Sequence, residues 1–122
     1  MKNLVLIFLF LFFAQAAFSQ SSAKPSGRFV MTDANCAGMI FNNDTSITFI
    51  NEFGCSPWEL RAKWIDAKTF ITVEKEKVQS NSPPRVSVYK IISFSGSTLK
   101  LRDFWVGWGN LPDDTITMIK QK

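Results

Sequence analysis

Histidine is absent from the 122 residues of this chain. Its absence excludes Ser-His-Asp and Cys-His nucleophilic sites, zinc or copper bound through imidazole, and a pH switch built on histidine. A dense run of positive charge is also missing, because the formal net charge of +4 comes from scattered Lys and Arg residues. Nucleic-acid binding usually needs a clustered basic face, so we expect no nucleic-acid partner.

Long apolar runs are absent except at the start of the chain. Lys2 precedes an unbroken apolar run over residues 4–14, and small residues lead to a cleavage point after Ser19. This order is typical of a secretory signal peptide, and the run is shorter than the roughly 20 residues that cross a bilayer. We therefore predict that residues 1–19 are a signal peptide. The protein is then secreted or periplasmic and has no stable membrane insertion after cleavage.

Cysteine is scarce as well, with only Cys36 and Cys55 in the chain. An exported protein meets an oxidising compartment, and two cysteines allow a single pairing. The spacing lacks the Cys-x-x-Cys pattern of a redox site. We predict a structural disulfide between Cys36 and Cys55.

The sequence after the signal peptide predicts one all-β domain over residues 28–122, preceded by a flexible leader at residues 20–27. Short apolar-rich pieces are separated by turn-forming residues, and no piece beyond the signal peptide has helical spacing. The pattern predicts an antiparallel up-and-down barrel of about eight strands, with a β-sandwich as the alternative. The predicted strands are Arg28–Thr32, Gly38–Asn42, Ser46–Asn51, Trp58–Ile65, Thr69–Lys75, Arg85–Phe94, Thr98–Phe104 and Thr115–Lys120.

Alternation with a period of two supports these strands. Over residues 58–64 the side chains of Trp58, Leu60, Ala62 and Trp64 face one way, and charged side chains face the other. The pattern is irregular in residues 69–75 and again around Ile91 and Ile92, where a β-bulge is one way to resolve it.

This layout resembles the small lipocalin-like (calycin) domains of exported bacterial proteins. Gly27-Arg28-Phe29 stands where lipocalins have Gly-x-Trp, and residues 39–49 resemble their second hairpin. Residues 89–91 and 99–101, joined through a Ser-Gly-Ser turn, resemble their paired late strands. Arg102 is the candidate for the lipocalin arginine that packs over the first-strand aromatic ring. The chain is shorter than typical lipocalins and lacks their C-terminal helix.

The resemblance implies non-enzymatic binding of a small hydrophobic or amphipathic ligand in the barrel mouth. An eight-stranded barrel has room for its own side chains or for one small ligand. Large inward residues, including Phe49, can also fill the interior completely, so hollow and packed interiors are both open.

The candidate ligand-binding residues are aromatic. Exposed indole rings offer flat apolar faces for a ligand or a partner surface, or they fold down and plug one end of the barrel. A protein–protein interaction module, of the inhibitor or adhesion type, is therefore the alternative function. The candidate residues are Trp58, Trp64, Phe104, Trp105 and Trp108.

Catalysis is not expected. Glycoside hydrolysis needs two facing carboxylates, and no spacing in this sequence pairs two acids. Asp113 and Asp114 lack the EF-hand pattern. We predict a protein without enzymatic activity, cofactor or metal.

Overall fold

The chain forms a closed antiparallel barrel of eight strands. A computed structural model describes residues 23–77 and 79–122. The observed barrel confirms the predicted fold and rules out the sandwich. The strands are β1 Gly27–Met31, β2 Gly38–Asn43, β3 Ser46–Ile50, β4 Pro57–Trp64, β5 Thr69–Glu74, β6 Val86–Phe94, β7 Thr98–Phe104 and β8 Asp114–Lys120.

The strands follow one another around the barrel in chain order, and β1 pairs with β8 to close it. Successive connections alternate between the two ends because neighbouring strands are antiparallel. One end, which we call the closed end, has only the short turns 44–45, 65–68 and 95–97. The other, the open end, has the longer loops 32–37, 51–56, 75–85 and 105–113.

The core fills the middle of the barrel and extends to the closed end. Aromatic rings contact one another there: the Phe70 ring, close to the 65–68 turn, lies 4.7 Å from Trp64 and 5.2 Å from Tyr89 between centroids. This burial of apolar surface is the main stabilising contribution to the fold. The largest fully buried side chains are Phe29, Phe70, Met39, Ile47, Leu99, Leu101 and Met118.

The two irregular segments have different explanations. In β6 the register against β7 shifts between Ile91 and Ser93, which confirms the bulge. Strand β5 pairs with both neighbours without a shift, so a bulge is the wrong explanation there. Its side chains alternate regularly, with Phe70 inside the barrel and Ile71 and Val73 on the outer face.

Two contacts near the N-terminus differ from the sequence interpretation. Pro25 is buried and the Lys24 ammonium lies 4.8 Å from the Trp64 ring, so the predicted leader is held against the barrel from residue 24. The predicted packing of Arg102 over the Phe29 ring of β1 is wrong, because Arg102 is exposed on the outer face of β7. The cation near Phe29 is Lys120, with its Nζ atom 6.0 Å from the ring centroid.

The predicted disulfide is present, with 5.8 Å between the Cα atoms of Cys36 and Cys55. A structural disulfide indicates an oxidising, exported environment. The predicted signal peptide lies outside the described residues. Within residues 23–77 and 79–122, no helix is both long and apolar enough to cross a lipid bilayer.

Candidate functional site at the open end of the barrel

The inward-facing side chains change character toward the open end. Phe70 is fully buried, but the next inward residues of β5 are Thr72 and Glu74. The register places Ser87 opposite Thr72, and Asp103 opposite Tyr89. The barrel interior therefore passes from a packed apolar floor to a polar entrance. We call this entrance the mouth and define it by Trp58, Glu74, Ser87, Asp103 and Asp114.

Trp58 is the aromatic side chain of the mouth. It is the second residue of β4, it stands opposite Phe49 of β3, and it is 39% exposed. The ring centroids of Trp58 and Phe49 are 6.5 Å apart. Trp58 therefore offers part of a flat apolar face to solvent at the rim of the core.

A cation lies over the Trp58 ring. The Arg85 guanidinium carbon is 5.4 Å from the ring centroid, and Arg85 Nε is 3.6 Å from Glu74 Oε1. The backbone N–H of Arg85 also donates to Glu74 Oε2, over 3.2 Å. Arg85 thus links a carboxylate to an aromatic face, a geometry that cation–π attraction favours. Sequence reasoning missed this group, because Arg85 and Glu74 are neighbours only through the β5–β6 pairing.

The carboxylates on the opposite side of the mouth repel one another. Asp103 stands directly opposite Asp114 in the β7–β8 ladder. Burial raises the pKa of Asp103, and the charges of Asp114 and Asp113 raise this pKa further. Burial also raises the pKa of Tyr89, with a further contribution from the charge of Asp103. A cationic or hydrogen-bond-donating group on a ligand would relieve this repulsion.

The predicted aromatic loop lies at the same end. Trp108 is 97% exposed, whereas Trp105 is partly covered because its ring lies against the backbone of Gly107. A Cβ atom on Gly107 would overlap the Trp105 ring, so this packing requires glycine. Asp113 Oδ1 accepts a hydrogen bond from the Trp105 backbone N–H over 2.8 Å.

The other two predicted ligand-binding residues lie elsewhere. Trp64 packs against Phe70 beside the closed end, so it supports the floor of the core. Phe104 lies on the outer face of β7, where its cross-strand neighbour is Val88. Of the five predicted residues, the structure therefore brings Trp58, Trp105 and Trp108 to the open end.

Two loops of the open end, 32–37 and 51–56, are joined by Glu52 as well as by the disulfide. The Glu52 carboxylate accepts hydrogen bonds from the backbone N–H groups of Asn35, Cys36 and Ala37, over 2.8–3.0 Å. These hydrogen bonds, led by that from Cys36, lower the pKa of Glu52. Nothing in the sequence marks Glu52, because its partners are backbone groups of a distant loop.

Exposed apolar surface is concentrated at this end. Of the ten large apolar side chains that the described part of the chain exposes, seven lie in or beside the open-end loops. Loops carried on a rigid scaffold are the usual place for binding residues. The seven are Phe53, Trp58, Val86, Trp105, Val106, Trp108 and Leu111.

Comparison with known proteins identifies no relative: no family model, no curated protein and no solved structure matches this chain. Within residues 23–77 and 79–122, no three His, Cys, Asp or Glu side chains lie where they could hold a metal ion together.

Proposed function

We propose that this protein is a non-enzymatic binding protein that takes a small amphipathic molecule at the mouth of its barrel. The observation that carries the proposal is the change along the interior, from fully buried apolar side chains to a polar entrance beside a half-exposed Trp58. Ligand pockets typically combine apolar walls with a few placed polar groups, and the mouth offers both.

The packed floor sets where such a ligand would bind. Phe70 and Leu101 have no exposed surface, so the middle of the barrel is occupied by the protein's own side chains. A ligand would rest above them, with its apolar part against Trp58 and its polar part toward Glu74 or Asp103. The carboxylates favour a neutral or positively charged polar group over an anionic one.

We also propose that the protein is exported and that it is related to the lipocalin-like barrels. Residues 1–19 act as a signal peptide removed on export, and the domain is a short member of the lipocalin-like barrels. The disulfide supports the export, and the closed eight-stranded antiparallel barrel supports the relationship.

Calorimetric titration with two ligands of one alkyl chain tests the function. We expect dodecylamine to bind and dodecanoic acid to bind more weakly, because Asp103 and Asp114 of the mouth form no ion pair among the described residues. Trp58→Ala should weaken the binding of dodecylamine by at least about tenfold, which corresponds to about 1.4 kcal/mol. Trp108→Ser is the matched control: it removes an indole at the same end of the barrel but outside the mouth, and it should leave this binding unchanged.

Material from the native source gives a second measurement. We expect mass spectrometry of an organic extract to recover a bound amphipathic molecule. A protein that carries no such molecule and binds neither alkyl ligand contradicts the proposal.

A second candidate function rests on a separate observation. Trp108 is 97% exposed and Phe53, on a different loop of the same end, is 86% exposed. Large exposed aromatic side chains mark contact sites for other proteins. If the open end is a protein-binding surface instead, Trp108→Ser abolishes complex formation and Trp58→Ala does not. An aqueous quencher should quench Trp108 strongly in the free protein and much less in the complex.

A further inference from the structure

The outer wall of the barrel over β4–β7 carries an apolar strip that the fold does not use. The strip consists of side chains that stand opposite one another: Ile71 is opposite Val88, which is opposite Phe104, and Val73 is opposite Val86. Val86 is 44% exposed and the other four are half-buried. On a two-sided barrel wall the outward positions are usually polar, so a contiguous apolar strip there points to a partner surface.

Positive charge borders the strip along β4 and toward the closed end. On β4, Lys63 stands beside Ile71 and Arg61 beside Val73. Toward the closed end, Lys90 of β6 stands directly opposite Arg102 of β7, next to Val88 and Phe104 on the same strands, and Lys100 follows on β7. Like charges placed directly opposite each other destabilise a sheet. The stability of the fold therefore does not account for this arrangement.

These cations are not neutralised by the protein's own acids. The outward positions of β5, β6 and β7 hold no Asp or Glu, and the ion pairs of the described residues join Lys24 to Asp44 and Arg85 to Glu74. Glu59, on the outer face of β4, accepts a hydrogen bond from Thr48 on the side away from the strip. Hydrogen bonds from the backbone N–H groups of Lys68 and Thr69 lower the pKa of Asp66 in the 65–68 turn, and the charge of Lys90 makes a smaller contribution. Lys90 and Asp66 form no ion pair among the described residues.

The wall is also concave at its β4–β5 side. A groove of about 510 Å³ lies there, lined by Arg61, Lys63, Val73 and Lys75 and by Thr45 and Ser46. A partner that follows the groove meets cations along its length and the apolar strip beside it.

We infer that this wall, from the groove across the apolar strip to Lys90 and Arg102, binds an acidic segment of a partner protein that also carries apolar side chains. An apolar centre bordered by charge is the usual anatomy of a protein interface, and the excess of cations selects an acidic partner. The closed barrel has no free strand edge, so the segment is held by side chains and not by strand addition. A groove fits a polypeptide better than it fits a flat bilayer, and the strip lies within the wall instead of projecting from a loop.

A charge-reversal pair tests the inference. The probe is a labelled synthetic peptide in which Glu alternates with Leu, and its binding is followed by fluorescence anisotropy. We expect the wild-type protein to bind it, more weakly as salt is added, and Lys90→Glu to weaken binding by at least about tenfold. Arg28→Glu is the control, because it makes the same change in net charge at an exposed residue of β1, outside the wall.

The fold should survive both variants. Lys90→Glu replaces a repulsive cross-strand pair by an attractive one with Arg102, and thermal unfolding verifies this. Val88→Thr gives an independent variant that keeps all charges and removes part of the apolar strip, and it should also weaken peptide binding.

Several outcomes overturn the inference. They are the absence of peptide binding, equal binding by the Lys90→Glu and Arg28→Glu proteins, and binding of phosphatidylglycerol vesicles without binding of the peptide. The last outcome assigns the wall to an anionic membrane surface. The wall proposal and the mouth proposal can fail separately. The peptide tests the wall and dodecylamine tests the mouth, and Lys90→Glu should leave the binding of dodecylamine unchanged.

Discussion

The two ends of this barrel are built from the same eight strands but differ in packing and in charge. Toward the closed end the turns are short and the inward side chains are apolar and buried. In and beside the open-end loops lie seven of the ten acids of the chain, with only Lys75, Lys77 and Arg85 as cations. Eight of the other cations lie on the strands and short turns of the rest of the barrel. The closed-end half of each strand therefore supplies most of the buried core and its stability. The open-end half is free to present polar and aromatic groups.

The difference in packing between the two ends predicts the largest changes in the free energy of unfolding. Phe70→Ala opens a cavity beneath Trp64 and Tyr89, and it should cost about 3–5 kcal/mol. Trp58→Ala, at the mouth, should cost less than about half as much, because its ring is already partly in water. Thermal unfolding of the two variants measures the contrast. Equal losses would mean that the mouth is as tightly packed as the floor.

Removing the disulfide loosens the open end. Cys36 and Cys55 are separated by 19 positions, and closing a loop of this size stabilises a fold by about 3 kcal/mol. At about 4–8 °C per kcal/mol, the Cys36→Ala/Cys55→Ala protein should lose more than about 10 °C in Tm. Titration of the wild-type protein with a thiol reagent should find no free thiol. A reactive thiol, or an unchanged Tm, contradicts this assignment.

The Glu52 carboxylate should make the stability of the fold depend on pH. The pKa of Glu52 is lowered in the folded state by the N–H groups of Cys36, Ala37 and Asn35. The stability that it contributes is therefore present above its unfolded pKa and is lost as the pH falls through its folded pKa. Glu52→Gln should lower Tm by roughly a few degrees at neutral pH. The gap between variant and wild type should close in acid, and a gap independent of pH contradicts the role of the charge.

Asp103 should also make the stability depend on pH, but its charge destabilises the fold, and the change in Tm should be smaller than for Glu52. Burial and the charges of Asp114 and Asp113 raise its pKa, so its ionisation destabilises the folded state as the pH rises from its unfolded pKa through its folded pKa. Asp103→Asn should therefore raise Tm slightly at neutral pH and change it little in acid. Asp33→Asn, which removes an equal charge from an exposed loop residue, is the control and should not raise Tm.

Much of the fold was predictable because side-chain alternation is a local property. Every observed strand boundary lies within one residue of its prediction, and the bulge near Ile91 was anticipated from two adjacent apolar residues. The irregular pattern of β5 was misjudged, because Ile71 and Val73 are apolar on the outer face. Their partners on that face come from β6 and β7, and the β5 sequence alone does not contain them.

The candidate site was predictable only in part. Its aromatic residues Trp58, Trp105 and Trp108 were identified because ring size and neighbouring glycines are visible in the sequence. The contacts of Glu52 with the 32–37 loop and of Arg85 with Trp58 were not, because each joins side chains to groups far away in the chain. Trp64 was predicted together with them but lies at the other end, against Phe70, since the same alternation places inward residues at both ends.

The amino-acid sequence by itself determined the eight strands, which side of most strands faces the core, and the one possible disulfide. These depend on residue size, polarity and a period of two, all readable within a few positions. Only the tertiary structure decided which end of the barrel is packed and which is polar, that the acids gather at the open end, and that cations border an apolar strip on the wall. Those features arise when neighbouring strands pair in register around the barrel, because this pairing brings together side chains that no local pattern relates.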